Sequence, residues 1–387
     1  MPKLAASAMA IPHSRIRELA EIAMKMDGVL KLYFGESNIP TPDYIKQAAT
    51  QAMADGYTFY TSNAGLISTR RALAEYYKQT HKVTLDPDSE IVVTASGVQA
   101  LNVAIRCVLD PGDEAIILTP AWPNGNSIVS MVNATPVQIA QPLVGDRYGL
   151  DFERMERAVT PRTKLLIYTS PSNPLGWVAT VEEQQQLLDF ARRHKLWLMA
   201  DEVYERLWYE GSAVPSILQL ATREDAVIAV QSFSKSYCMT GWRLGWFVAR
   251  KDLAARATQL NEFIISHAPS IAQRAGETAL AAGEDAVAEL VAQLKVNRNF
   301  CLDALKDLPR VTIPRPDGAF YLFPKIDGLT DSFDFCKRFL LEHHVGIAPG
   351  VAFGEGGEGS VRICYASELS ILEPAMARFK DYLKSTV

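Results

Sequence analysis

The feature that most constrains this chain is a phrase repeated through its middle: a short apolar, β-branched run, then turn residues, then a segment with helical spacing. Five such runs lie at residues 90–94, 114–118, 164–168, 196–200 and 226–231. Strands alternating with helical segments are the signature of βαβ units, whose parallel strands need helices over both faces of the sheet. The crossover between the third and fourth runs has a legible start. Thr180 as N-cap with Glu183 at the third helical position makes a capping box, and Leu187, Leu188 and Ala191 follow on one face. A second helix is predicted over 99–109.

After Glu277 the phrase gives way to one long helical stretch carrying Leu290, Val291, Leu294, Phe300 and Leu305 and ending at Leu308-Pro309. Strands at 318–324 and 360–365 with a helix at 332–344 between them then read as a smaller α+β unit. With 387 residues and a prior of roughly 150 per domain, the expected fold is α/β. A large domain with a mostly parallel sheet flanked by helices spans 40–280, and a smaller α+β domain spans 281–387. Residues 1–39 form an N-terminal arm and part of the small domain.

Composition removes several classes. Lys and Arg total 39 against 44 Asp and Glu, a net charge of −5, so there is no basic footprint for nucleic acid. The uncharged stretch 115–145 contains Pro120, Pro123, Pro136 and Pro142 and cannot be a membrane-spanning helix. The opening Met1-Pro2-Lys3-Leu4 leads into an apolar part too short and too small-sided for a secretory signal. Cys107, Cys238, Cys301, Cys336 and Cys364 stand singly, which argues against disulfides and zinc and for a reducing, cytoplasmic setting.

In an open parallel sheet, ligands bind beyond the carboxyl ends of the strands. The residues there are Ser96-Gly97, Trp122, Asn173, Asp201, and Ser232 with Lys235. A chemistry that uses all of them is an aromatic, phosphorylated, electron-accepting cofactor bound to a lysine. Trp122 offers a face for stacking, and Asp201 offers a buried carboxylate to keep a pyridine nitrogen protonated. Gly97-Val98 opens a helix whose N–H groups receive a phosphate, and Lys235 offers the amine for a Schiff base and for proton transfer.

These residues resemble a known family. The run Ser232-Phe233-Ser234-Lys235-Ser236 through Thr240-Gly241-Trp242-Arg243-Leu244-Gly245 is similar to the lysine signature of fold type I pyridoxal-phosphate enzymes, in the aspartate aminotransferase superfamily. Residues 32–42, 57–65, 170–176, 200–204, 348–354 and 361–363 resemble further segments of that family in the same order, so the resemblance covers nearly the whole chain.

It implies a pyridoxal 5′-phosphate transaminase (EC 2.6.1.-) moving an amino group between an L-amino acid and a 2-oxo acid, with Lys235 as the Schiff-base lysine. Asp201 would pair with the ring nitrogen, Asn173 and Tyr204 with the ring's phenolate oxygen, and Trp122 would stack on the ring. Ser96, Gly97, Val98, Ser232 and Arg243 would hold the phosphate, joined by Tyr60 from the other subunit of a homodimer. Arg362 would clamp the substrate α-carboxylate, assisted by Asn173 and Gly35. Tyr33, Phe34 and Phe353 suit a neutral or aromatic substrate side chain. A lyase or decarboxylase on the same scaffold stays open as the alternative. A DNA-binding regulator does not, since the arm before Leu32 is too short for a helix-turn-helix.

Four other motifs mislead. Gly354 to Gly359 satisfies G-x-G-x-x-G but leads into a strand and carries Glu355 and Glu358. Ser232 to Lys235 satisfies S-x-x-K without its companion motifs. Asp201-Glu202 are adjacent and point apart, so Glu202 is read as solvated or structural. His343-His344 reads as helix C-terminal charge rather than a metal site.

Overall fold

The computed structural model describes residues 2–9 and 11–386; Met1 and Ala10 of the opening segment and Val387 lie outside the described residues. The fold is α/β, built on a seven-stranded sheet. In chain order its strands are β1 (Ile91–Thr94), β2 (Glu114–Thr119), β3 (Thr135–Ala140), β4 (Thr163–Thr169), β5 (Trp197–Asp201), β6 (Val227–Ser232) and β7 (Gly245–Ala249). Their spatial order is β1-β7-β6-β5-β4-β2-β3. All five expected runs are strands of this sheet, and β7 alone runs antiparallel, pairing with both β1 and β6.

The two strands absent from the sequence reading have separate causes. β3 carries Pro136, which interrupts the apolar pattern and is tolerated because β3 is an edge strand. β7 follows β6 after residues 233–244, a connection that contains a single short helical turn at Thr240–Trp242 and no crossover helix, and the chain turns back as an antiparallel strand. Gly245 then lies opposite Ser232.

Helices α1 (Gly97–Val108) and α2 (Val181–His194) sit on this frame, and α2 starts with the expected Thr180–Glu183 capping box. The stretch predicted as one helix after Glu277 is two, α3 (Ser270–Ala282) and α4 (Glu284–Leu305), broken at Gly283. A side chain at Gly283 would overlap the Ala279 carbonyl and the Tyr237 ring, so glycine permits the break. Beyond it, β8 (Tyr321–Leu322), β9 (Ala348–Pro349) and β10 (Val361–Cys364) form a second sheet beside α5 (Ser332–His343). Residues 30–31 pair in parallel with 345–346, which ties the N-terminal arm to this C-terminal part. The misleading motifs have structural duties: Glu358 accepts from the Ser332 N–H at 2.7 Å at the start of α5, and His344 ends α5 in the left-handed region while His343 packs on Tyr382.

Candidate active site

A cavity of about 830 Å³ opens at the carboxyl end of the parallel strands, within the range of small-molecule sites. It is lined by Ser96, Gly97, Val98, Trp122, Asn173, Asp201, Tyr204, Ser232, Lys235, Arg243, Gly35 and Arg362. The candidate residues from the sequence are therefore gathered there except Phe353, which is absent from the lining, and Tyr60, which is 90% exposed. The reason is partly topological: most of these side chains follow strands whose parallel arrangement delivers their carboxyl ends to one edge, while Gly35 arrives from the arm and Arg362 from β10.

At one end of the cavity, α1 begins. Gly97 and Val98 are its first residues, so their N–H groups have no carbonyl of their own helix to reach. Ser96 caps this turn with its Oγ 3.3 Å from the Gln99 N–H and holds a φ of +106°, a conformation that L residues rarely adopt. Ser232 and Ser234 lie beside it, their hydroxyls 2.9 Å apart. Arg243 reaches the same place because β6 and β7 form a hairpin, with the Phe233 N–H bonded to the Leu244 carbonyl at 3.1 Å. Gly245 is obligatory here, since a Cβ would come within 2.6 Å of the backbone of Ser96 and Gly97.

At the centre are two ionisable groups with opposite perturbations. Lys235 Nζ donates to the Gly35 carbonyl at 2.6 Å, and burial pulls its amine down to about 8, so the neutral form is far more accessible near neutral pH than in an ordinary lysine. Burial pushes the Asp201 carboxyl up to about 6, against the opposing pull of the Val203 N–H and the Lys235 charge. A cationic ring nitrogen brought to Asp201 would restore its ionised form. Glu202, next to it, is not solvated: it is buried, accepting from Ser216 Oγ and the Ile217 N–H, each at 2.8 Å. Alternation along the strand end has sent the two carboxylates to opposite sides.

The far wall comes from the C-terminal part. Arg362 is buried, sandwiched between the rings of Tyr321 at 4.6 Å and Phe353 at 4.9 Å. It donates to Asn173 Oδ1 at 2.8 Å and to the Tyr33 carbonyl, while its Nε is buried without a partner among the described residues. Phe353 supports Arg362 from behind and does not line the cavity, in contrast to Tyr33 and Phe34, which do. Tyr321, absent from the candidates drawn from sequence, also lines it, with its hydroxyl 2.7 Å from that of Tyr204. Arg17 and His13 line the outer part, with the Arg17 guanidinium 4.9 Å over the Phe34 ring.

This donor set fits pyridoxal phosphate. Unused helix N–H groups, hydroxyls and Arg243 suit a phosphate, Asp201 a ring cation, Trp122 a ring face, and Lys235 an aldehyde. The orphaned Arg362 Nε suits a carboxylate beside them.

Comparison with known proteins agrees with this reading. The family model "Aminotransferase class I and II" matches residues 28–379. The chain is 34% identical to an aspartate aminotransferase of Pyrococcus horikoshii over 98% of this chain and 97% of that one. It is 33% identical to aromatic-amino-acid aminotransferase 2 of Thermococcus litoralis over 96% of each. The crystal structure of an aromatic aminotransferase from Pyrococcus horikoshii superposes with a TM-score of 0.88 at 33% identity, covering 95% of this chain and 99% of that one.

Proposed function

The chain belongs to the class I and II aminotransferase family, pyridoxal-phosphate-dependent transaminases of amino acids and 2-oxo acids, and from this premise we propose how its own residues divide the work. The relatives reported above are all named aminotransferases, which supports transamination over the lyase or decarboxylase alternative. Lys235 is the cofactor lysine and the base that takes the substrate α-proton. Asp201 holds the charge of the ring nitrogen, Asn173 and Tyr204 face the ring oxygen, and Trp122 covers the ring. Ser96, Gly97, Val98, Ser232 and Arg243 grip the phosphate, and Arg362 receives the α-carboxylate with Asn173 and Gly35 beside it. Bound there, pyridoxal phosphate supplies the electron sink that stabilises the substrate's α-carbon once its proton has left. The low amine value of Lys235 supports its role as base, because a neutral amine is what accepts the proton.

The observation that carries the substrate reading is the apolar part of the cavity lining, Ile16, Tyr33, Phe34, Leu101 and Tyr321. We assign a neutral or aromatic side chain to this space. Acidic substrates are the second reading, favoured by the position of Arg17 over Phe34 without a carboxylate partner among the described residues. Loading the protein with pyridoxal phosphate and adding single amino acids without an acceptor tests both. Keto acid should form stoichiometrically and fastest from neutral or aromatic donors; aspartate outpacing all of them would reverse the assignment.

A homodimer is part of the same reading. Phe59 is 80% exposed, Tyr60 90% and Phe263 87%, and their segments are joined by Asn63 to Glu262 and by Asn261 to the Asn63 carbonyl at 3.0 Å. A contiguous apolar surface of this kind marks an interface, and it would carry Tyr60 to the partner's phosphate. Sedimentation should give a dimer, and Tyr60→Phe should weaken cofactor binding several-fold; a fully active monomer overturns this. The division at 39/40 and 280/281 is retained because one core cluster is drawn mostly from the C-terminal part, while two others flank the large sheet. A cytoplasmic location is retained on the unpaired cysteines. Among the described residues, no helix is long and apolar enough to cross a membrane.

A further inference from the structure

Tyr321 belongs to β8, far in sequence from the strand ends that supply the cofactor residues, yet its hydroxyl is 2.7 Å from that of Tyr204. Both side chains are buried and held edge-on to one another, ring centroids 5.8 Å apart at 79°. The hydroxyl occupies space left by Gly35, where any side chain would overlap it. Two phenols at this distance share one hydrogen bond, and its direction decides where the remaining proton points.

The surroundings select the direction. Asn173 uses its Oδ1 to accept from Arg362, which leaves its amide nitrogen facing Tyr204 Oη at 3.5 Å. Tyr204 thus receives from Asn173. If it also receives from Tyr321, its own proton is free for the cavity. The electrostatics agree: burial raises the Tyr204 hydroxyl and its bond to Tyr321 opposes that rise, whereas the same bond adds to the burial-driven rise on Tyr321.

We infer that Tyr321 is a positioning residue: its hydroxyl donates to Tyr204, which commits the single Tyr204 proton to the ring oxygen of pyridoxal phosphate and makes it a stronger donor there. The inference rests on the assignment of Tyr204 to that oxygen. Donor strength grows when a hydroxyl itself accepts a hydrogen bond, and a donor to the ring oxygen favours its ionised form. Removing the Tyr321 hydroxyl should therefore make the Lys235-bound cofactor hold its proton to higher pH.

The test is a visible-absorbance titration from pH 5 to 9 of the pyridoxal-phosphate-loaded protein and of Tyr321→Phe, Tyr204→Phe and the double variant. Phenylalanine keeps the ring beneath Arg362, so the wall is preserved, and circular dichroism confirms that each variant folds. Tyr321→Phe should raise the midpoint by roughly half a pH unit, Tyr204→Phe should raise it further, and the double variant should match Tyr204→Phe alone. Equal midpoints for wild type and Tyr321→Phe, with Tyr204→Phe shifted, would overturn the inference and leave the site assignment standing. A Tyr321→Phe shift that persists in the Tyr204→Phe background would also overturn it, because the effect would not pass through Tyr204. No shift with Tyr204→Phe removes the Tyr204 assignment and the inference together.

Discussion

Arg362 donates a 2.8 Å hydrogen bond to the Asn173 side-chain carbonyl, joining the last strand of the C-terminal sheet to the loop after β4. This bond fixes the Asn173 amide in one orientation and holds the guanidinium square to its Tyr321 and Phe353 stacking partners. A lysine has neither the fork nor the flat faces that this position uses. Arg362→Lys should raise KM about tenfold or more and lower kcat, with pyridoxal phosphate still bound. Steady-state kinetics beside absorbance would separate these, and an unaltered KM would remove Arg362 from the carboxylate site.

Lys235→Ala removes nucleophile and base together. Turnover should fall by roughly four orders of magnitude or more while the protein keeps its fold and binds pyridoxal phosphate noncovalently. Borohydride reduction followed by mass spectrometry checks the linkage: wild type should retain the label on the peptide containing Lys235 and the variant should not.

Asp201→Ala should lower cofactor affinity and slow α-proton removal by roughly a hundredfold, because the ring nitrogen loses the charge that keeps it protonated. Exchange of the substrate α-hydrogen with deuterated solvent reads the second effect directly. Full exchange activity in the variant would rule out the pairing.

Gly245→Ala places a methyl group within 2.6 Å of the Ser96–Gly97 backbone. The start of α1 has to move, so the variant should fold and yet bind pyridoxal phosphate, and free phosphate as a competitor, about tenfold more weakly. Fluorescence titration of the cofactor-free protein measures this.

Stability should fall as pH rises from 5 toward 7, through a buried network behind the site. Burial pushes the Glu202 carboxyl up to about 7, with the charge of Glu205 adding to it. His81 is also raised: burial, the largest single influence, works against it, but the charge and hydrogen bond of Glu205, 2.8 Å away, together with the Glu202 charge outweigh it. Between the ordinary carboxylate value and about 7, the folded state keeps a Glu202 proton that the unfolded state has lost. The stabilisation is complete at low pH and disappears on going through 7. His81 acts in the same direction. Glu202→Gln should flatten the wild-type decline, which is of order 1–3 kcal/mol. Calorimetry at pH 5 and 7.5 with equal cofactor loading makes the comparison, and parallel declines would sink the role given to Glu202.

Most of the cofactor side of the site was legible in the sequence because each of its residues follows a strand whose apolar run is itself a local signal. Asp201, Asn173 and Lys235 stand directly after such runs. Arg243 required more: its return to the phosphate end depends on β7 running antiparallel after a 233–244 connection that holds no crossover helix. The break at Gly283 was missed because helical spacing continues through it. For Glu202 the sequence left solvated and structural readings open, and the structural one holds because its partners, Ser216 and Ile217, arrive from a later loop.

What the sequence by itself determined is the α/β frame, the order of its strands along the chain and the set of groups at their ends, since period, caps and turn residues act over a few positions. Only the tertiary structure decided which distant segments face that edge. Residues 33–36 from the arm and Tyr321 and Arg362 from the C-terminal sheet reach it through packing across hundreds of positions, and no local periodicity encodes such meetings. Tyr321 is the clearest instance. In sequence it is one aromatic in a short strand; in the folded chain the absence of a side chain at Gly35 and the edge-on packing with Tyr204 set its hydroxyl against the one proton that has to point at the cofactor ring.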